Sequence, residues 1–110
     1  MGVKLQGMLE IQKAREGEYR FVVKSEQGHP LLESVPFPDE DTAKRRVREL
    51  QPLVKNPVCF ERRTDHLGRF QFTLRGPGGT VIGHSQHYRS EAGMENGITN
   101  TLHRISALEL

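Results

Sequence analysis

Two carboxylates stand 51 residues apart in similar settings, Glu10 between Leu9 and Ile11 and Glu61 directly after Phe60. Paired carboxylates about 5–10 Å apart can run hydrolysis, one as general acid and the other as base or nucleophile. Here both follow apolar residues in an alternating pattern, which assigns them to the polar side of a strand. Arg20, Lys24 and Arg75 are then their expected ion-pair partners. The histidines are His29, His66, His84, His87 and His103. On a strand His84 and His87 point to opposite faces, and no carboxylate stands nearby at a ligand-like spacing, so no zinc site is expected. Cys59 is the single cysteine, which excludes an internal disulfide. It lies in an apolar run with Val58 and Phe60, matching Met8, and an inert buried thiol is expected rather than a nucleophile. No catalytic constellation emerges and no cofactor is implied; the expectation is a protein that is not an enzyme.

Two further sets point toward binding. Gly68, Arg69, Phe70, Gln71 and Phe72 suggest the basic, glycine and aromatic strand of an RNA-recognition sheet. The order is reversed, however, and Leu74 stands where a third aromatic is needed, so core packing is the favoured reading. Gly93 and Gly97 fall four apart in a helical pattern, each costing about 1 kcal/mol relative to Ala. Either the helix approaches another element closely there, or a gap among Tyr88, Glu95, Asn96 and Gly97 admits a small ligand or a partner's backbone. Those four residues form the candidate binding set.

The elements that must position these residues come in duplicate. A gapless offset of 51 aligns Glu10 with Glu61, Gly17 with Gly68, Phe21 with Phe72, Gly28 with Gly79, Ser34 with Ser85 and Glu40 with Glu91. Substitutions that keep size or polarity join them, such as Tyr19 with Phe70, Lys24 with Arg75, Leu31 with Ile82 and Phe37 with Tyr88. We read an internal repeat. In each copy a short alternating strand leads to a turn at Gly17 or Gly68. A second strand follows, with Tyr19, Phe21, Val23 or Phe70, Phe72, Leu74 on its buried face. Arg20, Val22, Lys24 and Gln71, Thr73, Arg75 take the other face. A third strand ends near Ser34 or Ser85. The period then changes to 3.6: Ala43, Val47, Leu50, Val54 and Met94, Ile98, Leu102, Ile105 mark two amphipathic helices, with Asp39 and Ser90 as N-caps and Pro52 ending the first.

With the repeat in place, the second half resembles the YegP-like family. The residues that carry the likeness are Gly68, Arg69, Phe70, Gln71, Phe72, then Ile82, Gly83, Ser85, Tyr88, Ser90, and Glu95, Asn96, Gly97, Ile98. This family comprises small, mostly bacterial proteins of unknown function, either single repeats that dimerise or tandem repeats in one chain. The resemblance covers about residues 8 to 106, and this chain looks like the tandem form. In the first half Pro36, Phe37, Pro38 and Asp39 replace the usual segment, and Arg45, Arg46, Val47 stand where Asn96, Gly97, Ile98 stand in the second. The resemblance implies an α+β fold of two tandem three-strand-plus-helix repeats, about 8–55 and 59–106. They exchange strands about a pseudo-two-fold axis, with helices on one face of an antiparallel sheet. The whole, 1–110, is one domain and a monomeric pseudo-dimer, with further dimerisation open.

Composition limits the remaining choices. At 110 residues and 35% hydrophobic, the chain fits one soluble domain. Its apolar runs are far too short to cross a bilayer, and Met1 to Gly7 has no signal-peptide core, so a cytoplasmic location with no membrane partner is expected. The net charge of +2 divides evenly, ten basic and nine acidic side chains in residues 1–55 against six and five in 56–110. The local cluster Lys44, Arg45, Arg46, Arg48 is flanked by Asp39, Glu40, Asp41 and Glu49, as on a solvated helix face. The first expectation is a non-enzymatic interaction module with a protein partner. The alternative is an RNA-binding protein using Arg20, Lys24, Arg45, Arg48, Arg69 and Arg75.

Overall fold

The computed structural model describes residues 2–5 (backbone), 9–56 and 59–108; Met8, Pro57 and Val58 lie outside the described residues. Seven strands and two α-helices run β1 (Gly2–Leu5), β2 (Leu9–Arg15), β3 (Glu18–Lys24), β4 (Pro30–Ser34), α1 (Glu40–Leu50), β5 (Phe60–Thr64), β6 (Phe70–Arg75), β7 (Val81–His84) and α2 (Glu91–Ser106). The fold is α+β. All strands join one antiparallel sheet in the order β1-β2-β3-β4-β7-β6-β5.

That order corrects one expectation. The strands are not exchanged: β2-β3-β4 and β5-β6-β7 are each a meander of consecutive neighbours, and the two meanders meet along β4 and β7. Tight turns at Gly17, Gly28 and Gly68, all with positive φ, keep each strand beside its predecessor. A second correction is β1, which pairs with the outer side of β2 and has no counterpart beside β5 among the described residues. The pseudo-two-fold relation holds at the joint. Glu33 lies opposite His84, 51 residues away, so the axis runs through this pair.

Local details recur at the same interval. The Ser34 and Ser85 hydroxyls accept from the amides of Phe21 and Phe72, each at 2.9 Å, and donate to the carbonyls of Val35 and Gln86. Tyr19 bridges to Phe37, and Phe70 to Tyr88. Asp39 caps α1 through the Thr42 amide at 2.7 Å, and Ser90 caps α2 through the Gly93 amide at 3.0 Å. α1 ends at Leu50 with Pro52 just beyond.

Both helices cover one face of the sheet and share one core. Ala43, Val47 and Leu50 of α1, and Met94, Ile98 and Ile105 of α2, pack on Leu9, Ile11, Phe21, Val23, Leu32, Phe72, Leu74 and Ile82. Leu102 is only partly buried against this core. The Gln51 side-chain amide donates to the carbonyls of Ile105, at 3.1 Å, and Leu108, which ties the end of one helix to the end of the other. No helix among the described residues is long and apolar enough to cross a membrane.

Candidate functional site

Directly opposed residues of an antiparallel ladder share a face. The register therefore draws one row across the sheet: Glu10 on β2, Val22 on β3, Glu33 on β4, His84 on β7, Thr73 on β6 and Glu61 on β5. Phe21, Val23, Phe72 and Leu74, which flank Val22 and Thr73 in sequence, enter the helix-covered core, so this row lies on the open face. Glu33 and His84 are exposed at its centre. Val22 and Thr73 are buried even so, which corrects the expectation that β3 and β6 bury one face only. Each is flanked by two long side chains of the row, Glu10 and Glu33 or Glu61 and His84, which shield it from water.

The outer parts of this face are electrostatically closed. Lys24 Nζ lies 3.1 Å from Glu10 Oε2, and Arg75 Nη2 lies 3.1 Å from Glu61 Oε1. Hydrogen bonds from Arg75 and then Arg63 hold the Glu61 carboxyl below the usual carboxylate range. At the β5–β6 turn Asp65 accepts from the amides of Leu67 and Arg69 and from Arg69 Nε, and these bonds, the Arg69 amide first, lower its pKa. Three cations of the RNA-binding set, Lys24, Arg69 and Arg75, are thus each paired with a carboxylate. Arg45 and Arg48 sit exposed on α1. Arg20 departs from expectation: the register puts it opposite Gln12, not Glu10, and its Nε is buried without a hydrogen-bond partner.

At the pseudo-two-fold axis the open face sinks into a cavity of about 310 Å³, lined by Arg20, Glu33, Gln71 and His84 with the segments Ser34–Pro36 and Ser85. Gln71 occupies the position equivalent to Arg20. Its amide is held by the Ser85 carbonyl at 2.9 Å, and His84 Nδ1 lies 3.0 Å from Thr73 Oγ1. Glu33, Val35 and Pro36 are not among the site residues expected from the sequence. One signal was available there, because residues spaced by the repeat length and placed at a symmetry axis must face each other.

The structure divides the candidate set Tyr88, Glu95, Asn96 and Gly97. Tyr88 stacks on Phe72, with ring centroids 6.4 Å apart, and lays its phenol over Gly97, where a Cβ would stand 2.2 Å from Tyr88 Oη. The ring fills the space above the glycine. Burial, partly offset by the Gln86 side chain, raises the Tyr88 pKa. Glu95 turns instead to β5, where Arg62 Nη2 lies 2.9 Å from Oε1 and Arg62 Nε bonds Oε2; this fork lowers the Glu95 pKa. Asn96 is exposed. Cys59 donates to the Leu53 carbonyl at 3.1 Å, and burial raises its pKa, the opposite of what a nucleophile needs. His87 lies beyond the end of β7, 4.0 Å from Asp65. Among the described residues no group of three or more potential ligands gathers as at a metal centre.

Comparison with known proteins agrees with this architecture. The sequence model of a domain of unknown function, DUF1508, matches residues 65–100. The UPF0339 protein in the ptx operon 5' region of Stutzerimonas stutzeri is 30% identical over 94 residues, covering 86% of this chain and 85% of the relative. The UPF0339 protein YegP of Escherichia coli K12 is 27% identical over 94 residues, 86% of each chain. The solution NMR structure of yegP from E. coli, a protein of unknown function, superposes with a TM-score of 0.83 at 25% identity, covering 96% of this chain and 91% of that one. The NMR structure of UPF0339 protein SO3888 from Shewanella oneidensis shares the fold at a TM-score of 0.81 and 22% identity, over 88% and 82% of the two chains. From its residue patterns, its sheet and these relatives, the chain belongs to the UPF0339, or YegP-like, family.

Proposed function

We propose that this protein is a non-enzymatic binding module that meets a protein partner through the open face of its sheet. One observation carries the reading. The peripheral cations of that face are satisfied by their own carboxylates, whereas Arg20 and Glu33 at its centre are paired with no described residue. The buried Arg20 Nε has given up water without a return that a partner's acceptor would supply, and the exposed Glu33 carboxylate stands beside it ready to meet a donor. The pairing also weighs against RNA, because a cation already bound to a carboxylate releases few counterions on meeting phosphate. The test is affinity capture from the lysate of the source organism, with and without nuclease, at low and moderate salt. The reading expects a discrete protein retained after nuclease; capture that vanishes with nuclease and falls steeply with salt supports RNA instead.

A further inference from the structure

The cavity on the pseudo-two-fold axis has a symmetric frame and asymmetric occupants. Equivalent backbone positions carry Arg20 against Gln71 and Glu33 against His84. One side thus offers a guanidinium and a carboxylate, while the other offers an amide and an imidazole already held in place by Ser85 and Thr73. A chemically symmetric ligand gains nothing from such a site, whereas a ligand with one acidic end and one donor end does. We propose that the axial cavity binds a carboxylate bearing a nitrogen donor on its α-carbon, with Arg20 holding the carboxylate and Glu33 accepting from the nitrogen.

Guanidinium geometry matches a carboxylate with two parallel hydrogen bonds, and Arg20 lines the cavity with its Nε–H bonded to no described residue. A phosphate would also suit Arg20, but it carries more negative charge into contact with Glu33. Val35 and Pro36 give the cavity an apolar wall for a small side chain. Its volume falls at the lower end of small-molecule sites, which run about 300–1,000 Å³. Gln71 and His84, fixed by their own hydrogen bonds, form a wall that needs little ordering when a ligand enters.

The same chemistry occurs in a free α-amino acid and in the C-terminal residue of a peptide. The proposal rests on the open-face reading but is tested apart from it, on the purified full-length chain with small molecules rather than by capture. Amide chemical shifts of the labelled protein are followed by NMR while L-alanine, N-acetyl-L-alanine or L-alaninamide is titrated into the millimolar range. The expected result is perturbation centred on residues 20, 33, 71 and 84 by one or both carboxylates and none by L-alaninamide. L-alanine binding tighter points to a free amino acid, and N-acetyl-L-alanine binding tighter points to a peptide terminus. Arg20→Gln, which places at 20 the side chain already accommodated at 71, should weaken binding at least about tenfold. Glu33→Gln, at an exposed position where folding is not at stake, should weaken L-alanine binding several-fold. No perturbation by either carboxylate, equal perturbation by L-alaninamide, or unchanged affinity in both variants overturns the proposal. If the small molecules fail while protein capture persists, the open-face reading stands without the axial ligand.

Discussion

Two glycines show how closely single residues are fitted here. A Cβ at Gly83 would lie 2.5 Å from the Glu33 backbone carbonyl oxygen, at the joint between β4 and β7. Backbone in a ladder cannot give way as a side-chain end can. Gly83→Ala should therefore cost about 3 kcal/mol in urea unfolding. Gly97→Ala meets the Tyr88 ring instead, and part of its penalty is offset by better helix propensity, so about 1–2 kcal/mol is expected. Adding Tyr88→Phe to Gly97→Ala removes the nearest atom and should restore part of the loss; no restoration would mean that something other than the phenol fixes this glycine. The close-packing reading of Gly97 was legible in the sequence as a helical glycine needing a reason. Gly83 was not, because its crowding comes from a strand 50 residues away that only the joint brings near.

At the level of elements, ion pairs fasten the second meander and its helix. Arg62 on β5 grips Glu95 on α2, Arg75 on β6 grips Glu61 on β5, and Asp65 ties the turn between those strands. All three carboxyls have native pKa values below their ordinary ones. Their contribution to stability is then fully present above the ordinary carboxylate pKa of about 4 and is lost as pH falls through the lower native values. Melting temperature should hold steady through the neutral range and drop below about pH 4, more in the wild type than in Arg62→Gln, which has already lost one partner. An equal drop in both would show that the Glu95 pair is not among the causes. The strands and helices themselves were readable from alternation, the change of period and the capping residues Asp39 and Ser90. β1 was not, since a strand without a counterpart gains no support from the repeat. Nor was the placement of Arg20 opposite Gln12, because register depends on turn geometry, and the β2–β3 ladder shifts between Lys13 and Arg15.

At the scale of the whole molecule, the axis through Glu33 and His84 makes each half complete the other's sheet. A fragment of residues 1–55 leaves the β4 edge bare and buries too little apolar surface for comfortable stability. If it pairs with a second copy in the same register, Glu33 faces Glu33, a like-charge contact that weakens the dimer. Sedimentation and thermal melts should find the fragment unfolded or in a weak, concentration-dependent dimer; a stable, cooperatively melting monomer would contradict this interdependence. The same axis sets the central functional claim, that the open face is the working surface and the helix-covered side is not. The most direct measurement compares protein capture by the wild type with two folded double variants, Arg20→Gln/Glu33→Gln on the open face and Arg45→Gln/Arg48→Gln on α1. The account predicts that the first loses the captured protein and the second retains it. Loss through the α1 variant, with the open-face variant still binding as the wild type does, would contradict it.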